Sequence, residues 1–180
     1  MLKMTNHTAR MATLLLLAGT AGCAEVEADV PEAQVTQKGI SFKGSDSGGW
    51  HDEVSGTQTF ELSSENLSWL KDLNSKVYLM QIDLAATSGV QDLSFIHYAH
   101  VTMSTDDKNA MSVVLADYVR PDNQTATATI SAKTPYPVDI SNLWQAKKVL
   151  VTVSVAGNLP DKDWTVSVTL HLSGKITYKL

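Results

Sequence analysis

Among the 180 residues there is one cysteine, and aromatic residues make up only 7%. With Cys23 alone, no disulfide can form within the chain, so stability has to come from a packed core. Acids outnumber bases 19 to 14, a balance that makes nucleic acid a poor partner. No serine stands in a Gly-x-Ser-x-Gly elbow, and no segment matches the twelve-residue calcium loop with its alternating oxygen ligands. Beyond residue 22 no apolar run approaches the roughly 18 residues that a spanning helix needs.

What the chain does have begins at its start. Lys3 and Arg10 precede the apolar run 11–18, and the small residues Gly19, Thr20, Ala21 and Gly22 lead to Cys23. A basic start, a short apolar stretch and small residues before a cut describe a cleaved export signal. Because it ends on a cysteine, this signal resembles the lipobox of bacterial lipoproteins, a likeness confined to residues 1–23. The resemblance implies that the Cys23 thiol is acylated and becomes the mature first residue. Ala24 in place of Asp then implies release to the outer membrane, with the lipid as the membrane attachment. Residues 1–22 hold two of the 14 bases and no acid, so 12 bases face 19 acids in the mature chain, a net charge of −7 with His neutral.

Residues 23–34 are acidic and proline-punctuated, with little to bury, and read as a solvated tether. Residues 35–180 suit one domain of ordinary size. Val35 to Phe42 reads as a first strand, and residues 44–56, rich in Gly, Ser and Asp, as a loop before a second strand at 57–62. Alternation is strong further on. Tyr78, Met80, Ile82, Leu84 and Ala86 fall on one face, as do Val149, Val151, Val153 and Val155, and then Trp164, Val166, Val168, Leu170 and Leu172. One dry and one wet face per strand predicts an all-β chain folded as an antiparallel β-sandwich, immunoglobulin-like in general build. Weaker strands are expected at 93–104, 111–119, 125–132 and 175–179. Two short helices are expected as lids, one capped by Ser64 over 65–73 and one capped by Asp139 near Ile140, Leu143 and Trp144. The order helix, strand, turn, strand recurs in 66–104 and 142–173, as one unit used twice would require.

Chemistry is sparse by comparison. His97 and His100 sit three apart on an expected strand, so their rings point to opposite faces and cannot share an ion. His171 is expected alone on a wet face. The catalytic set is therefore empty, and so is the metal set. Trp50, Asp46, Asp52 and Glu53 form the candidate ligand-binding group in the 44–56 loop. Trp50 either offers a flat apolar platform to a sugar or partner chain or folds back as a plug, while the three carboxylates could hold calcium. Trp69, Trp144 and Trp164 are expected in the core.

The expected function is that of a non-catalytic envelope lipoprotein whose domain binds a protein or glycan or serves a structural role. The alternatives are a calcium- or glycan-binding module using the 44–56 loop, and a hydrolase of envelope polymer. Mass spectrometry of the native protein is expected to find Cys23 as the first residue, carrying acyl mass. A free thiol there, or a chain that still starts at Met1, contradicts the lipoprotein reading.

Overall fold

The computed structural model describes residues 25–44, 49–61, 75–105, 112–144 and 148–179. Cys23, Asp46, Trp69 and the helix expected over 65–73 lie outside them. Eight strands make up nearly all of the described chain: β1 (Glu25–Phe42), β2 (Gly49–Glu61), β3 (Ser75–Ser88), β4 (Ile96–Thr105), β5 (Val113–Val119), β6 (Thr129–Asp139), β7 (Lys148–Leu159) and β8 (Trp164–Lys179). One helical turn, α1 (Ser141–Trp144), lies between β6 and β7. Asp139 starts it, since its Oδ1 accepts the Ser141 backbone N–H at 2.9 Å.

The strands form two four-stranded antiparallel sheets, in the orders β1-β8-β3-β6 and β2-β7-β4-β5. The expected antiparallel sandwich is present. Its strand order is that of an eight-stranded jelly roll, which shares the two-layer build of an immunoglobulin sandwich but pairs the first strand with the last. The two proposed repeat units correspond to β3–β4 and β7–β8. Each crosses from one sheet to the other, in opposite senses.

β7 and β8 are central strands, one in each sheet, and their inner faces make the middle of the core. Val149, Val151, Val153 and Val155 are buried, as are Trp164, Val166, Val168, Leu170 and Leu172. Phe42 stacks on Trp164 with ring centroids 4.1 Å apart, and Phe95 meets the same indole edge-on at 5.0 Å. These three rings close the end of the sandwich reached by the end of β1 and the start of β8.

Several expectations need correction. Residues 25–34 are not a tether; they are the first half of β1, paired from Glu25↔Lys179 onwards with β8. Backbone pairing at a sheet edge asks little of side chains, so exposed Glu27 and Asp29 are compatible with it. The loop expected at 44–56 is strand from Gly49 on, with a register shift between His51 and Val54. Gly56 lies buried in this strand, where a Cβ would come within 2.7 Å of the Ser41 carbonyl oxygen on the facing sheet. On β3 the predicted stripe breaks at Met80, where the register with β6 and β8 shifts. That bulge puts Val77 and Leu79 in the core beside Ile82 and Leu84, and leaves Met80 exposed.

Gly157 leaves no room for a side chain between β7 and the start of β4. Its φ is +153°, and an added Cβ would overlap the Phe95 carbonyl oxygen. Gly157→Ala is expected to cost about 2–4 kcal/mol in urea unfolding, and Leu170→Ala about 2–5 kcal/mol through the cavity it leaves. Unfolding midpoints equal to that of the wild type would refute this description of the core.

Candidate functional site

The outer face of the β2-β7-β4-β5 sheet carries the candidate site. On β7 the outward residues Ser154 and Ala156 are small. Their neighbours are larger: Glu53 comes from β2, Tyr98 and His100 from β4, and Asp117 and Val119 from β5. A low floor between taller flanks makes an open groove of about 530 Å³.

Strand pairing sets the side chains in rows. Ser55, Ser154, His100 and Asp117 occupy one row across all four strands. Ser55 Oγ and Ser154 Oγ lie 2.7 Å apart, and His100 Nδ1 is 2.5 Å from Asp117 Oδ1. In the next row Thr57 and Thr152 share a hydroxyl contact of 2.9 Å. On the other side, Tyr98 stands opposite Ala156 and Val119. Its side chain is 51% exposed, although it emerges from a firmly paired strand.

Trp50 belongs to the same face, opposite Asn158 on β7. It is also 51% exposed, so it does not fold back as a plug over the core. Two contacts fix its ring: the indole N–H donates to Asp52 Oδ1 at 2.9 Å, and the His97 ring meets it edge-on at 5.1 Å. Trp50 and Tyr98 are two strands apart, roughly 10 Å. Of the four residues singled out in the sequence, Glu53 lines the groove, Trp50 and Asp52 stand beside it, and Asp46 lies outside the described residues.

His97 and His100 were expected on opposite faces of β4. A register shift between Ile96 and Tyr98 changes this: Ile96 and Ala99 face the core, and His97 turns to Trp50. His97 and His100 thus have different partners. Among the described residues, no group of three or more His, Cys, Asp or Glu is placed to hold a metal ion.

Tyr98, His100, Asp117 and Ser154 were not singled out as a site, because strand pairing alone brings them together. The available signal was polar residues alternating with buried Ala99, Val101, Val153 and Val155, which marks one wet face but not its neighbours.

The other sheet's outer face holds a second cluster, which corrects the expectation that His171 is alone. From β8 its Nδ1 lies 2.8 Å from Glu32 Oε1 on β1, and its Nε2 lies 2.7 Å from Asp83 Oδ2 on β3. Carboxylates only accept hydrogen bonds, so both ring nitrogens must donate, and the ring is an imidazolium. Burial opposes that charge, but the bonds to Glu32 and Asp83 outweigh it and raise the His171 pKa above its ordinary 6.5. Asp83 is likewise partly desolvated, yet bonds from Ser131, Gln81 and His171 hold its carboxyl below the ordinary 3.8. The cluster clips β1 to β3 across β8, a positional role.

No protein-family model and no curated protein matches the chain. Solved structures resemble it at low identity. The decameric BFDV capsid protein is 11% identical with a TM-score of 0.38, over 85% of this chain and 99% of that one. The Desmodium yellow mottle tymovirus structure is 10% identical with a TM-score of 0.38, over 93% and 96%. The family 32 CBM from C. perfringens NanJ, solved in complex with galactose, is 10% identical with a TM-score of 0.31, over 81% and 99%. Likenesses this distant say nothing of the groove.

The clip has a pH signature. The raised His171 pKa contributes stability in full below 6.5 and loses it as pH rises through the folded value. The lowered Asp83 pKa contributes above 3.8 and loses it as pH falls further. His171→Gln is therefore expected to cost about 1–3 kcal/mol at a pH between these limits. The deficit should shrink on either side of that window in paired thermal melts. A deficit that does not vary with pH would refute the imidazolium.

Proposed function

We propose that this chain is a non-catalytic, lipid-anchored binding domain of the bacterial envelope, and that its ligand is a saccharide chain lying in the groove. One observation carries the reading: Tyr98 stands half-exposed in an open groove beside Glu53, His100, Asp117 and Ser154. A sugar ring has an apolar C–H face and a rim of hydroxyls. An aromatic ring suits the first, and carboxylate, imidazole and hydroxyl groups suit the second. The groove is shallow and open, as a polymer passing across it requires. Trp50 offers a second ring further along the same face.

A hydrolytic use of Ser154, His100 and Asp117 is less well supported. Ser154 Oγ lies 2.7 Å from Ser55 Oγ, whereas activation as a nucleophile requires it to donate to His100.

The anchor suits the same reading. If Cys23 carries lipid, β1 begins two residues later, so the domain is seated close to the bilayer. The groove residues Tyr98, Val119 and Ala156 lie towards the other end of their sheet. β7 alone, at 12 residues, spans roughly 40 Å. The groove would thus sit towards the end of the sandwich far from the membrane.

The test is binding of the full-length chain, in a sugar-free detergent, to a panel of immobilised tetrasaccharides. At least one should bind, and Tyr98→Ala should weaken it about tenfold or more, while Thr36→Ala on the other sheet should change nothing. Absence of binding across the panel, or wild-type affinity in Tyr98→Ala, would contradict the reading.

A further inference from the structure

We infer that the saccharide held in this groove carries free amino groups; the inference rests on the saccharide reading above and narrows it. The argument is one of charge. Two carboxylates, Glu53 and Asp117, line the groove, and among the described residues no Lys or Arg does. A third carboxylate, Asp52, stands beside Trp50. Arg120, which follows Val119, is committed elsewhere: its guanidinium donates to the Ser94 carbonyl oxygen. An anionic sugar would meet no guanidinium or ammonium among these residues and would meet carboxylates at Glu53 and Asp117.

An amino sugar finds two kinds of partner in the same groove. Its ammonium can donate to a carboxylate, a charge-assisted bond stronger than a neutral one. It can also sit over the face of Tyr98, where the ring quadrupole attracts a cation. Glu53 and Asp117 come from strands three apart in the sheet, roughly 14 Å. That separation exceeds the reach of one sugar and brackets several, so successive ammonium groups on a basic polymer would meet both acids. Asp117 also holds His100, which fixes its carboxylate in place.

Isothermal titration of the full-length chain in a sugar-free detergent separates the possibilities. The probes are a glucosamine tetramer, its N-acetylated form, a neutral glucose tetramer and a galacturonate tetramer. At low salt the glucosamine tetramer should bind about tenfold tighter than the N-acetylated one, and added salt should erode the advantage. The galacturonate tetramer should not bind. Glu53→Gln, alone and with Asp117→Asn, should bring the affinities for amine and acetamide together, while Thr36→Ala on the other sheet should leave the tenfold preference intact. Equal affinity for amine and acetamide, or a preference for the uronate, overturns the amino-sugar inference and leaves the saccharide reading standing. No binding by any of the four overturns both.

Discussion

The inner faces of β7 and β8 are the constraint on which the rest of the molecule depends. Four valines on one strand and Trp164, Val166, Val168, Leu170 and Leu172 on the other bury the middle of the core without a polar interruption. Each strand has a partner on both sides, so its backbone groups are paired and its side chains alone decide which face is dry. Once the inner residues are committed, the outer ones are committed too. Ser154 and Ala156 must face outwards because Val153 and Val155 face inwards. The groove is thus the reverse side of the core, and its floor is low because those two residues are small.

That coupling makes the site rigid. Tyr98, His100 and Asp117 emerge from strands whose opposite faces are locked by Ala99, Val101 and Ala116. Binding on such a surface costs little reordering of the backbone. The other sheet uses its outer face differently. There Thr36 and Thr169, like Thr87 and Thr165, share hydroxyl contacts, and His171 is spent on Glu32 and Asp83. Those groups satisfy one another across strands and hold β1, the strand that follows Cys23.

The parts of the fold legible in the sequence were those where alternation is unbroken. The stripes 149–155 and 164–172 name their buried faces outright, and two such stripes already require a sandwich. Alternation fails at a bulge, where one extra residue exchanges the faces. Met80 and His97 each sit at such a break, and no local residue type announces it. The acidic start of β1 was illegible for another reason: an edge strand is held by backbone bonds to β8, and its charges can stay in water. In the site, Trp50, Asp52 and Glu53 stood out as polar and aromatic residues without a place in the core. Tyr98, His100, Asp117 and Ser154 come from three strands spread over more than fifty residues, and pairing is what makes them neighbours.

Chemical-shift mapping of the isotope-labelled full-length chain during titration with a glucosamine tetramer tests the groove most directly. Shifts should concentrate on Glu53, Tyr98, His100, Asp117, Ser154 and Ala156, and Thr36, Thr169 and His171 on the opposite sheet should stay still. Shifts centred on that other face, or spread along the sheet edges with the groove silent, would show that the small outward residues of β7 form no binding floor.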